Sequence, residues 1–191
     1  MLESIHNSRM EPLSREPLNP FSYAVLVLVG EGGAGPHDIV RMMRRGSRMY
    51  WATSESHFYA EPKRLAKLGY LVAETGPGRT RERTHYRLTD LGREALRRWA
   101  PAPTPFPRVQ SEAVIRLLSA DIVQDDRAIL ASLEAMRAEL DDMDRQLEAA
   151  REAARDLPHR ERELRLVRAY GEALVRVHRQ WLDEVERELG A

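Results

Sequence analysis

The chain has no cysteine. Disulfides, thiol nucleophiles and cysteine zinc sites are therefore excluded, and nothing points to an oxidising compartment. Long apolar runs are missing too. The longest, Ala24–Val29, is far too short to span a bilayer. The first residues, MLESIHNSRMEPLSREPLNP, lack the apolar centre of a signal peptide. The expected address is the cytoplasm, with no membrane partner. Catalytic signatures are equally scarce. There is no Gly-x-Ser-x-Gly, no phosphate-binding loop and no His-Glu-x-x-His. The six histidines are dispersed, with none at metal-ligand spacing. We expect no enzyme, no catalytic residue, no metal and no cofactor.

The zero net charge conceals an asymmetry. Residues 1–100 hold sixteen Lys/Arg against eleven Asp/Glu, and the remainder holds fourteen against nineteen. A basic working end and an acidic remainder follow.

Residues 1–17 are polar and aperiodic and read as a flexible arm. Asn19-Pro20 is a helix start, a capping side chain followed by Pro at the first helical position. Phe21–Val29 is a buried helix, broken by Glu31-Gly32-Gly33-Ala34-Gly35. Pro36 opens a second helix with Asp38 in its first turn and Gly46 as a plausible stop. Ser54 is the expected cap of a third, with Phe58, Leu65 and Leu68 on its apolar side. Pro62 interrupts that run. A proline inside a helix removes a hydrogen bond and costs about 3 kcal/mol, so a kink or loosened turn is expected there.

Tyr70–Thr75 and Thr84–Thr89 alternate in the manner of hairpin strands around Gly76-Pro77-Gly78. Thr89 caps a fourth helix, Asp90–Trp99. Four prolines in Pro101–Pro107 then form a stiff spacer, so the expected domains are 18–100 and 110–191, joined by a linker at 101–109. A short helix follows around Glu112–Leu118. From Gln124 to Asp156 the apolar residues Ile129, Leu133, Met136, Leu140, Met143 and Leu147 repeat at 4-3 spacing. After Pro158 a last helix, Arg160–Leu189, carries Leu164, Val167, Tyr170, Leu174, Val177, Trp181, Val185 and Leu189 as its apolar side.

The expected fold is mainly α. A winged helix-turn-helix, made of three helices, a two-stranded wing and a fourth helix, precedes a long-helix dimerisation module. Such a head inserts a helix into the major groove and rests its wing on the backbone. The third helix offers Ser54, Ser56, His57, Tyr59, Lys63 and Arg64. The wing offers Arg79, Arg81 and Arg83, alternate arginines suited to phosphates or a narrow minor groove. Leu133, Met136, Leu140, Met143, Leu147, Leu174, Val177 and Trp181 are the expected dimerisation residues, since a heptad seam needs a partner within or between chains. Trp99, Tyr170 and Trp181 could line a cavity for a small aromatic effector, or could simply be core and interface aromatics.

The first hundred residues resemble the PadR family of bacterial transcriptional regulators. The matching stretches are Leu18-Asn-Pro-Phe-Ser-Tyr-Ala-Val-Leu26, Gly35-Pro36-His37-Asp38-Ile39 and Trp51-Ala-Thr-Ser54-x-Ser56-x-Phe58-Tyr59. They continue with Arg64-Leu65-x-x-Leu68-Gly69-Tyr-Leu71, and with Tyr86-Arg87-Leu88-Thr89 leading to Gly92-Arg93-Glu94-Ala95-Leu96 and Trp99. One stretch departs from the pattern. The family commonly has Tyr-Pro-x-Leu in the third helix, where this chain has Tyr59-Ala60-Glu61-Pro62. The resemblance implies a winged helix, a helical dimerisation region, double-stranded DNA as partner and, often, repression relieved by phenolic acids or flat aromatic drugs. Two rivals remain at this level: a MarR-type regulator, and a coiled-coil adaptor whose winged helix binds protein.

Overall fold

The computed structural model describes residues 18–46, 50, 54–76 and 83–190. They fall into two compact units, one within Met1–Val40 and Ser54–Ala102, the other within Arg41–Thr53 and Pro103–Ala191.

The first unit is built from α1 (Pro20–Val29), the start of α2 (Pro36–Gly46), α3 (Glu55–Lys67), β1 (Leu71–Gly76), β2 (Arg83–Leu88) and α4 (Asp90–Trp99). Asn19 caps α1 as its position suggests, its side chain accepting from the Ser22 amide at 2.9 Å. Thr89 caps α4 in the same way, accepting from Gly92 N at 3.1 Å. The strands pair antiparallel with Leu71 opposite Leu88 and Gly76 opposite Arg83. Tyr86 and Leu88 turn inward, as period-two alternation requires.

A third segment extends this hairpin. Ala34 exchanges both backbone hydrogen bonds with Tyr86, at 3.0 and 2.9 Å. Gly33 makes that approach feasible. Its φ is +75°, and a Cβ there would meet the His85 ring and the Tyr86 carbonyl. The core gathers Val25, Leu26, Ile39, Phe58, Leu65, Leu71 and Tyr86, all buried.

α3 continues without interruption through Pro62. The Pro62 ring is fully buried among the core residues. Burial of the proline offsets the lost hydrogen bond. Ser54 occupies the cap position, yet its hydroxyl does not cap; it lies 2.9 Å from the Ser56 hydroxyl.

The second unit contains α5 (Glu112–Leu118), α6 (Ala120–Val123), α7 (Asp126–Ala154), a 3-10 turn at Pro158–Arg160 and α8 (Glu161–Leu189). α6 was not foreseen. It ends on Gln124, in the left-handed region at φ 52°, and Asp125 then caps α7. α7 and α8 form an antiparallel hairpin. Leu133 and Leu140 of α7 meet Val175, Leu182 and Val185 of α8, with Met136, Met143, Leu147 and Trp181 packed against them. Two arginines bridge the helices: Arg137 reaches Asp183 and Glu186, and Arg179 reaches Asp141 and Asp144.

Only part of the expected apolar side of α8 faces α7, namely Trp181, Val185 and Leu189. The buried positions of α8 are Gly171, Val175, Leu182 and Val185. Val167, Tyr170 and Val177 are about half exposed, and Leu174 is partly buried. α8 carries two apolar stripes, and periodicity does not say which one the hairpin uses. No helix among the described residues is long and apolar enough to cross a membrane.

Candidate nucleic-acid interface

The two sides of α3 differ sharply. Phe58, Glu61, Pro62 and Leu65 point into the unit. Ser56, Ala60, Lys63 and Lys67 are exposed, and with Tyr59 and Arg64 they line one open groove. The 3-4 spacing of positions 56, 59/60, 63 and 67 places them on one face. No carboxylate among the described residues pairs with Lys63 or Lys67. Lys67 was not singled out from sequence, although its i+4 relation to Lys63 was the available signal.

Tyr59 is steadied by α2. Its hydroxyl lies 3.1 Å from His37 Nδ1, and the two rings meet edge-on at 5.7 Å. His37 is a second residue that sequence reasoning passed over as a site residue. His57 is exposed but approaches Phe21 edge-on at 6.3 Å. In the wing, Arg83 is exposed at the start of β2. Arg79 and Arg81 lie outside the described residues. Among the described wing residues, Arg87 pairs with Glu74 across the strands at 2.9 Å.

Arg64 is committed within the protein. Its Nε and Nη2 donate to the two oxygens of Glu61 at 2.9 and 2.8 Å, and Nη2 also reaches Ser22 Oγ at 3.0 Å. Ser22, fully buried on α1, donates to Glu61 Oε1 at 2.7 Å. Burial alone would push the Glu61 carboxyl up. The hydrogen bonds from Arg64 and Ser22, with the charges of Arg64 and His57, outweigh it and leave the carboxyl below its ordinary value. A depressed carboxylate stabilises the fold above the unfolded-state value, and that stability is lost as pH falls through the folded one. Glu61→Gln should therefore melt lower than wild type at neutral pH. The gap should close as pH drops below the ordinary carboxylate range. Thermal melts across a pH series check this, and a gap independent of pH would refute it.

The three candidate effector aromatics have separate surroundings. Trp99, in the first unit, stacks on Tyr23 with ring centres 4.5 Å apart and planes 7° from parallel. Tyr170, in the second, stacks on Tyr50 at 5.9 Å, and the Tyr50 hydroxyl donates to the Val167 carbonyl at 3.0 Å. Burial, and then Tyr170, push the Tyr50 phenol up. Trp181 packs against the hairpin core. It lies eleven residues from Tyr170, roughly 16 Å of helix rise, so one flat ring does not touch both.

This arrangement has known counterparts. The model of the transcriptional regulator PadR-like family matches residues 25–98. That stretch, less than half of the chain, is similar to the family. Among curated proteins, the negative transcriptional regulator PadR of Bacillus subtilis (strain 168) is 29% identical over 96 residues, 49% of this chain and 53% of that protein. The chain thus aligns with about half the length of that relative. Bacillus subtilis PadR in complex with operator DNA superposes with a TM-score of 0.73 at 20% identity, covering 91% of this chain and 99% of that one. Bacillus subtilis PadR in complex with p-coumaric acid gives 0.62 at 20% identity over 90% and 99%. Likenesses at this identity establish the fold, a PadR-like winged helix followed by long helices. The family consists of regulators of transcription rather than enzymes.

Proposed function

We propose that this PadR-like chain is a cytoplasmic regulator of transcription that binds a palindromic operator as a homodimer and represses. The observation that carries the reading is the outer face of α3. It presents Ser56, Tyr59, Lys63 and Lys67 together, with no carboxylate among the residues lining its groove. Such a face suits base edges and phosphates in a major groove. Ser54 and His57 border it, and Arg79, Arg81 and Arg83 of the wing supply backbone contacts.

The homodimer draws support from apolar surface on the second unit. Ile115, Leu118 and Ile122 are exposed on α5 and α6, Ile122 by 81%, and Leu166, Val167, Tyr170 and Val177 are exposed on α8. Burying such side chains against a second copy gains roughly 25 cal/mol per Å². Two-fold pairing also matches a two-fold operator. Leu133 and Leu140 would then act indirectly, by holding the hairpin that presents this surface. For an effector we assign a small aromatic acid, with Tyr50 and Tyr170 as its stacking partners ahead of Trp99 and Trp181. The p-coumaric acid complex of the Bacillus protein supports that chemical class.

The test is a fluorescence-anisotropy titration against the duplex upstream of the protein's own gene, at several salt concentrations. Specific binding is expected with Kd of about 10⁻⁸–10⁻¹¹ M and a steep salt dependence. Equal affinity for an unrelated duplex would sink the claim of sequence-specific binding. Sedimentation should give twice the 21.9 kDa chain mass. A monomer at micromolar concentration would remove the homodimer.

A further inference from the structure

Arg64 stands where the core side of α3 meets its outer face, and it borders the same groove as Lys63 and Lys67. Its guanidinium folds inward instead of joining them. The Glu61 carboxylate accepts from Nε and Nη2 on separate oxygens, the two-pronged geometry that matches a guanidinium best. Ser22 closes the arrangement from α1, donating to Glu61 and accepting from Arg64. The Glu61 side chain is 11% exposed. Withdrawing Arg64 towards DNA would leave that carboxylate buried without its cation, which is strongly unfavourable.

The charge therefore stays cancelled beside a face meant to discriminate. Arginine is the side chain best suited to grip phosphate, and phosphate contacts carry no sequence information directly. A loose arginine at this edge would add affinity for every duplex alike.

We propose that Glu61 is a positioning residue that restrains sequence-independent affinity for DNA: it holds Arg64 against α1 and off the phosphate backbone. The inference rests on the reading of α3 as the DNA-contacting helix.

The experiment begins with the full-length protein selecting duplexes from a randomised pool. The winning duplex and a scrambled duplex of equal composition are then titrated by anisotropy across a salt series. Wild type, Glu61→Gln, Arg64→Ala and the double variant are compared. Freed by Glu61→Gln, Arg64 should steepen the salt slope by about 1. It should tighten the selected and the scrambled duplex together, each about tenfold, the scale of one charged contact. Arg64→Ala should leave the slope at its wild-type value, and the double variant should restore that value. A purely structural role for Glu61 would not steepen the slope.

A shallower slope in Arg64→Ala, by about 1, would show that Arg64 already grips phosphate and would overturn the proposal. An unchanged slope in folded Glu61→Gln would overturn it as well. If Glu61→Gln does not fold, Arg64→Ala decides: an unchanged slope supports the proposal and a shallower one ends it. A wild type that selects no duplex would instead overturn the DNA reading itself, and this inference with it.

Discussion

The double substitution Lys63→Ala/Lys67→Ala is expected to weaken binding of operator and scrambled duplex together. Each lysine that neutralises a phosphate releases about 0.9 of a counterion from B-form DNA, so the salt slope should become shallower by about 2. Charge-assisted contacts of this kind are each worth roughly tenfold, which gives about a hundredfold loss for the pair. Both side chains are exposed. Their loss should therefore move stability by less than about 0.5 kcal/mol, and an unchanged melting curve separates binding from folding. If slope and affinity both stay at wild-type values, the outer face of α3 is not the contact surface. The prediction is sharper for the lysines than for Tyr59. Tyr59 is tied to His37, so its replacement would disturb α2 and α3 at once.

Gly92→Ala should produce the largest loss of stability. Gly92 is buried in the first turn of α4. A Cβ added there would fall on the Tyr70 carbonyl oxygen and come within 3.3 Å of Leu88 Cδ2. The same carbonyl already accepts from Thr89 N at 3.2 Å, and Thr89 Oγ1 lies 2.6 Å from the Gly69 carbonyl. The backbone cannot yield without opening the cap of α4. Overpacking and a damaged cap together cost about 2–4 kcal/mol. For a domain of this size that lowers Tm by roughly 10–20 °C. Gly32→Ala is the control, since a Cβ there meets nothing within 4 Å. Calorimetry on the two variants checks both expectations. A Gly92→Ala melt equal to that of Gly32→Ala would show that the first turn of α4 does not lie against the Tyr70 carbonyl as described.

Much of the first unit could be read from the sequence, because its signals are local. Asn19 and Thr89 cap the helices they were expected to cap, and Tyr86 and Leu88 alternate inward as a strand demands. Pro62 shows where local reasoning ends. A helix-interior penalty is a property of a few residues, whereas the burial that offsets it depends on α1 and the strands. Ser54 teaches the same lesson in reverse. A good capping residue at the right position uses its hydroxyl on Ser56 instead. In the second unit the existence of both long helices was plain, but not the facing of α8. Two apolar stripes share that helix. Only the antiparallel partner decides that Val175 and Leu182 go in while Val177 stays out.

The candidate site was legible as a set of residue types and less so as an arrangement. Ser56, Tyr59 and Lys63 stand on the face that helical spacing assigns to them. Arg64 has the same charge and nearly the same position, yet its guanidinium is turned to Glu61. No pattern in one sequence distinguishes an arginine held by a buried carboxylate from one open to a ligand. The distinction comes from Ser22, forty-two residues away.

The arginine bridges of the α7–α8 hairpin have a mechanical consequence. Arg137 grips two carboxylates near the open end of the hairpin, and Arg179 grips two others on the opposite helix. Exposed pairs contribute little to stability, typically under about 1 kcal/mol each. They do resist sliding. A shift of one helical turn, about 5.4 Å, would break both grips together and push the apolar contacts out of step. Any force applied along α8 is therefore carried by α7 as well, and the hairpin answers by tilting as a single strut rather than by creeping like a ratchet.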